Sequence, residues 1–190
     1  MERNNLYPIF LKTHQLNILL VGGGTVGLEK LSFLLKSSPK ANVQIVAPEV
    51  KKEILDLIKN KNVAIANSVY KKKYLHNKNL VIVATNNYKI NEEVYYDCKE
   101  QNILVNVADT PDLCDFYLGG IVTKGNVKVA ISTNGKSPTT AKRLRQFFEE
   151  VIPEDINHLV ENLNNYRKTI KGNFEQKVEI LNKLTESLVK

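Results

Sequence analysis

This 190-residue sequence has few of the features that mark secreted, membrane-spanning or zinc-held proteins. It has two cysteines, Cys98 and Cys114, which could pair with each other but do not amount to a disulfide framework in a chain of this size. No CxxC and no HExxH spacing occurs, so no preformed zinc site is expected and no residue is assigned to a metal. No apolar run approaches the roughly 20 residues that span a bilayer. The start, Met1-Glu-Arg-Asn-Asn5, is polar, and the apolar stretch Leu6–Leu11 is too short and too mixed for a secretory signal. No membrane association is expected, and the cytoplasm is the expected compartment. Internal repeats and low-complexity linkers are also missing.

Acidic residues are in deficit. Twenty Asp and Glu face 27 Lys and Arg, a net charge of +7. An ordinary solvated surface is one explanation, and an acidic partner is the other. No recognisable nucleic-acid module appears, so nucleic acid is not expected as a partner and a small polyanion is the better candidate. The basic residues cluster at Lys71–Lys73 and again from Lys136 to Arg145. The remaining composition, 43% hydrophobic and 25% charged, is that of a globular protein with one core and a small appendage.

The pattern along the chain predicts an α/β fold. Asn17–Val21, Val43–Ala47 and Leu80–Ala84 are short apolar runs of the kind that form buried parallel strands, with Ala64–Val69 weaker and Leu104–Val107 a further strand. Helical spacing follows the glycines at Leu28, Leu31, Leu34 and Leu35, and Glu53–Lys59 and Ile90–Gln101 also read as helices. Alternation from residue 17 to 107 argues for a doubly wound, Rossmann-like parallel sheet. Gly119–Lys124 and Val127–Ser132 then read as a hairpin turning at Gly125-Asn126. Ser137-Pro138 opens a helix that runs to about Val151. Two apolar stripes complete a helical tail: Ile156, Leu159, Val160, Leu163, Tyr166 and Ile170, then Phe174, Val178, Leu181, Leu184 and Leu188. The expected organisation is a dinucleotide-binding domain over 1–117, a small α+β segment over 118–152 and a helical tail over 153–190.

Gly22-x-Gly24-x-x-Gly27 follows a strand and opens a helix, the context in which this fingerprint cradles a dinucleotide. Gly22 serves the tight turn, Gly24 the approach to pyrophosphate, and Gly27 the packing of helix on strand. Glu49 and Val50, just past the second strand, are placed for the ribose. An acidic side chain there favours NAD, although Lys51 and Lys52 keep NADP open. Thr85 and Asn86 end a strand on the same sheet edge. Asp109 follows the Leu104–Val107 strand, where a carboxylate is either a general base or the cap of a turn before Pro111. Asp112 and Asp115 read as turn and surface groups. The block Ser132–Arg145 offers hydroxyls, a helix start and a basic face.

These motifs, in this order and spacing, resemble the precorrin-2 dehydrogenase / sirohydrochlorin ferrochelatase family of siroheme synthesis. The resemblance rests on Tyr7–Leu11, Val21–Lys30, Ala84–Asn86, Asn106–Asp109 and Ala130–Arg145, and covers about residues 6–153. It implies that NAD accepts a hydride from precorrin-2, a tetrapyrrole with eight carboxylates, and that bifunctional members then insert Fe²⁺ as a second substrate. It places Asp109 as the proton acceptor of both steps, and adds Thr25 and Val26 to Gly22, Gly24, Gly27, Glu49, Val50, Thr85 and Asn86 at the cofactor. It places Ser132, Thr133, Lys136, Ser137, Lys142 and Arg143 at the substrate, and the segment after Gly119 at a homodimer interface. A dehydrogenase without chelatase activity is one alternative. A nucleotide-sensing regulatory module is another, but it leaves Asp109 and Ser132–Arg145 without a role.

Overall fold

The computed structural model of the protein describes residues 3–186. Met1, Glu2 and Leu188 of the expectations above lie outside the described residues. The chain divides into two compact units: Met1–Leu118 with Asn134–Lys136, and Gly119–Thr133 with Ser137–Lys190.

The first unit is built on five strands: β1 (Asn17–Val21), β2 (Asn42–Ala47), β3 (Val63–Asn67), β4 (Leu80–Val83) and β5 (Leu104–Val107). Their order is β3-β2-β1-β4-β5 and every pairing is parallel. Ile18–Val21 and all four residues of β4 are buried, because both faces of the sheet are covered. The two-residue period of a strand sorts these side chains. Ile18, Leu20 and Ile82 face Leu31 and Leu35 of α1 (Thr25–Ser37) and Ile54 of α2 (Lys52–Leu57). Leu19, Val21, Val81 and Val83 face Val94 and Cys98 of α3 (Tyr88–Glu100). The chain leaves β1 towards β2 on one side and returns to β4 on the other, which makes a crevice at the carboxyl end of β1.

The expected elements are present with shifted ends. Helix α3 begins two residues early because the Asn87 side chain accepts from Ile90 N and caps it. The expected strand 64–69 is Val63–Asn67, and Leu80–Ala84 ends at Val83. No α-helix separates β3 from β4. The lysine cluster instead forms a 3-10 turn, Lys72–Leu75. Tyr70 and Lys72 latch this segment to α3. The phenol donates to Asp97 Oδ2 (3.0 Å), while Lys72 pairs with Asp97 (3.2 Å) and with Glu100.

In the second unit β6 (Gly120–Lys124) and β7 (Val127–Ile131) form the expected antiparallel hairpin. Gly125 turns it at φ +55°, in the left-handed region. Asn157 Oδ1 accepts from both Asn126 N and Asn126 Nδ2 at 2.8 Å, which fastens the turn to the start of α5 (Ile156–Thr169). Helix α4 (Pro138–Val151) starts at the expected Ser-Pro step, and Ser137 Oγ accepts from Thr140 N. Helix α6 (Phe174–Thr185) opens on a capping box between Asn173 and Gln176. No described helix is long and apolar enough to cross a membrane.

The fully buried Cys98 thiol is pushed up to about 12, first by burial and then by Asp97 and Asp115. Burial and the bond to Asp97 raise the Tyr70 phenol as well. Both groups keep their protons in the folded state at a pH where the unfolded chain has lost them. The Cys98 contribution to stability is therefore complete below the ordinary thiol value of 9.0 and is lost as the pH climbs towards 12, while that of Tyr70 begins to be lost only above the ordinary phenol value of 10.0. Urea titrations should show unfolding free energy falling by up to about 1.4 kcal/mol per pH unit for each such proton. Cys98→Ala should lower stability at neutral pH yet make this alkaline decline shallower.

Candidate functional site

The site begins at a corner where backbone touches backbone. Gly22 ends β1 at φ +118°, and a Cβ there would stand 2.3 Å from the Ala84 carbonyl oxygen. Its N–H donates to Val46 O at 2.9 Å, so the residue is wedged between the ends of β2 and β4. A Cβ on Gly27 would meet Gly22 O at 2.4 Å, which sets how closely α1 packs. Gly23 is equally constrained, since a Cβ there would meet Glu49 O at 2.3 Å and Val50 Cα at 3.0 Å. Gly23 was not among the residues expected from sequence. Its neighbour across the corner is distant in the chain, and only the run of three glycines hinted at it.

Gly24 differs from the other three. A Cβ there would meet nothing within 4 Å. Gly24 is the N-cap of α1, with no side-chain cap, and no acidic residue lies in the first turn. The opening N–H groups of Thr25, Val26 and Gly27 therefore face open space without a carboxylate to balance the helix dipole. This arrangement suits an anion such as a pyrophosphate. Of the four glycines, then, three are demanded by the protein's own packing, and the fourth keeps space clear above the helix start.

Glu49 and Val50 border this space, their backbone lying against Gly23. The Glu49 carboxylate is exposed and has no hydrogen bond or ion pair among the described residues. Lys51 N donates to Gly23 O (3.0 Å), and Lys51 Nζ donates to Thr25 Oγ1 (3.1 Å). Thr85 and Asn86 follow β4 on the same edge. The Thr85 hydroxyl donates to Asn91 Oδ1 (2.5 Å) and accepts from Asn87 N, so it orders the start of α3. Asn86 is exposed.

Asp109 lies beyond β5, again at the carboxyl edge. Ala108 N donates to Val83 O (2.9 Å), and Thr110 N closes a turn on Val107 O (3.3 Å). Asp109 occupies that turn at φ +57°, exposed. Its carboxylate makes no hydrogen bond or ion pair among the described residues. The turn closes through backbone, so the capping reading finds no contact to support it. The loop that carries Asp109 is held firmly. Asp115 Oδ2 accepts from Val105 N (3.1 Å), and Lys99 Nζ donates to Asp115 Oδ1 (2.6 Å). Asp115 is an exposed residue, as expected, but its carboxylate is engaged and acts as a clamp. The buried Asn106 donates to Phe116 O (2.7 Å), and the Cys114 thiol donates to Val107 O (3.2 Å). Cys98 and Cys114 are both free thiols, so the possible pairing is not made. Among the described residues no group of three or more His, Cys, Asp or Glu could hold a metal ion.

The remaining candidates lie on the β7–α4 connection and on α4. Thr133 Oγ1 accepts from Ser137 N (3.2 Å) and donates to Ser137 O (3.1 Å), while the Ser137 hydroxyl caps α4. These two hydroxyls shape the loop. Ser132 and Lys136 flank them. On α4, Arg143 donates to Gln146 (3.1 Å) and Arg145 pairs with Glu149 (2.5 Å). Lys142 is exposed and makes no ion pair among the described residues.

The chain is similar to known proteins over most of its length. A family described as "Putative NAD(P)-binding" matches residues 9–120, and one described as "Sirohaem biosynthesis protein central" matches residues 124–150. The siroheme synthase of Psychrobacter sp. (strain PRwf-1) is 36% identical over 168 residues, covering 88% of this chain and 34% of that protein. The siroheme synthase of Buchnera aphidicola subsp. Acyrthosiphon pisum is 31% identical over 175 residues, covering 92% and 37% respectively. The chain thus spans about a third of the length of these relatives. Among solved structures, "SirC, precorrin-2 dehydrogenase" superposes with a TM-score of 0.74 at 24% identity, covering 94% of this chain and 89% of that one, which establishes the shared fold.

The glycine geometry predicts a contrast between two substitutions. Gly22→Ala should destabilise the fold by more than about 2 kcal/mol, through both the clash and the left-handed backbone. Gly24→Ala, at φ −86°, should leave stability within about 0.5 kcal/mol and weaken dinucleotide binding. Thermal melts and calorimetric titration of NAD⁺ would test the pair.

Proposed function

The chain belongs to the NAD(P)-binding family whose model it matches over more than half its length, and from that premise we propose that it is a precorrin-2 dehydrogenase. In this reading it oxidises precorrin-2 to sirohydrochlorin with NAD and then takes Fe²⁺ as a substrate to yield siroheme. The observation that carries the reading is the unpartnered Asp109 carboxylate. It sits on a tightly tied loop at the same sheet edge as the open helix start beside Gly24. The match to the siroheme-biosynthesis segment over residues 124–150 supports the choice of substrate.

Bound at the glycine corner, the dinucleotide supplies the hydride acceptor. The open space at Gly24 would admit its pyrophosphate and the N–H groups of Thr25 and Val26 would hold it, while Gly22 and Gly27 fix the corner that places them. Glu49 and Val50 would meet the ribose, and Thr85 and Asn86, on the same sheet edge, would contribute to the cofactor site. Loss of a hydride from the macrocycle leaves a proton to be removed, and Asp109 takes it as general base. With no donor to it among the described residues, both of its oxygens are available. Iron insertion displaces two pyrrole N–H protons; the same carboxylate takes one of them and solvent takes the other. Ser132, Thr133, Lys136, Ser137, Lys142 and Arg143 receive the substrate carboxylates, with the basic side chains supplying charge and the hydroxyls a fixed loop. NAD is favoured over NADP because the exposed Glu49 would repel a 2′-phosphate.

Residues 1–117 form the dinucleotide domain in this account, 118–152 the dimerisation segment and 153–190 the tail. Leu144, Phe147 and Val151 of α4 lie at helical spacing and are exposed, Phe147 by 54%, as a face covered by a second copy of the chain would be. Free thiols at Cys98 and Cys114 are in keeping with the reducing cytoplasm.

Two experiments test this reading. Asp109→Ala should lower turnover of precorrin-2 by about 100-fold or more while NAD⁺ affinity stays unchanged. Turnover at the unsubstituted rate would remove Asp109 from the mechanism. Phe147→Glu should convert a dimer to monomers in sedimentation velocity, and an unsubstituted chain that sediments as a monomer would contradict the interface.

A further inference from the structure

We propose that Lys51 is a phosphate contact of the dinucleotide site, its ammonium passing from Thr25 Oγ1 to the pyrophosphate when the ligand binds. The inference rests on dinucleotide binding alone and not on the identity of the second substrate. Three observations combine. The first is placement. Lys51 Nζ donates to Thr25 Oγ1 at 3.1 Å, so the ammonium stands at the first residue of α1, beside the open space over Gly24.

The second is rigidity. Lys51 N donates to Gly23 O (3.0 Å), and the preceding Glu49-Val50 backbone is packed where a Gly23 Cβ would stand. The base of the side chain is thereby fixed to the glycine loop, and only the flexible stem has to move. The third is electrostatic. The start of α1 already carries the positive end of the helix dipole and has no acidic residue in its first turn. No ion pair joins Lys51 to Glu49 or Glu53 among the described residues. A cation held against a helix start is unfavourable without a neighbouring anion. The protein keeps one there, next to a space that a phosphate would fill. A dinucleotide phosphate removes the repulsion and gains a charge-assisted hydrogen bond.

The test uses the full chain with Lys51→Met, which keeps the stem and removes the charge, and Lys51→Arg. NAD⁺ and NADP⁺ are titrated calorimetrically, and thermal melts are recorded without ligand. Lys51→Met should bind both dinucleotides about tenfold more weakly, and by the same factor, with Lys51→Arg largely restored. Its melting temperature without ligand should not fall, since a repulsive charge has been removed. A loss confined to NADP⁺ would overturn the pyrophosphate assignment in favour of the 2′-phosphate. Unchanged affinity for both, or a lowered melting temperature that accounts for the weaker binding, would overturn the proposal outright. An unsubstituted protein that binds neither dinucleotide would overturn it together with the dinucleotide reading. Binding by that protein with no effect at Lys51 would defeat this inference alone.

Discussion

The rest of the first unit depends on one steric constraint, the contact of backbone with backbone at Gly22 and Gly23. The carboxyl ends of β1, β2 and β4 converge there, and no side chain fits between Gly22 and Ala84 O or between Gly23 and Glu49 O. Because the corner is that tight, the chain turns directly from the central strand into α1, and Gly27 lets the helix settle against Gly22. The helix start is thereby aimed over the sheet edge, with its N–H groups uncapped. A single packing requirement thus produces both the crossover of a doubly wound sheet and a cradle for an anion.

Part of the positive charge is matched: Lys72, Lys99, Lys124 and Arg145 pair with carboxylates, of which the Lys72–Glu100 pair is solvent-exposed on both sides and contributes little to stability. Lys51 and Lys142 are not matched among the described residues. The acidic groups divide in the same way. Asp97 and Asp115 tie distant segments together, while Glu49 and Asp109 remain open at the sheet edge.

The sequence discloses what is local. Strands β1 and β4 were legible as continuous apolar runs because both faces of the sheet are buried. The start of α4 was legible because Ser137 and Pro138 act within their own helical turn. The nucleotide loop was legible for the same reason, since Gly22, Gly24 and Gly27 stand in one short motif. What was not legible depends on distant partners. The 3-10 turn between β3 and β4 is tied down by Tyr70, which reaches Asp97, 27 positions away. The clamp formed by Asp115 needs Lys99 and Val105, and the constraint on Gly23 needs Glu49. Asp109 could be singled out by its position after a strand. That its carboxylate is unengaged among the described residues, and its turn closed without it, required the structure.

The most direct test of the account is the absorbance of anaerobic precorrin-2 mixed with the protein, with and without NAD⁺, before and after Fe²⁺ is added. The account predicts sirohydrochlorin bands that appear only with both protein and NAD⁺, followed by a protein-dependent change to the siroheme spectrum once iron is present. Sirohydrochlorin without the iron-dependent change would confine the activity to oxidation. No spectral change at either step, from a protein that binds NAD⁺, would contradict the central claim.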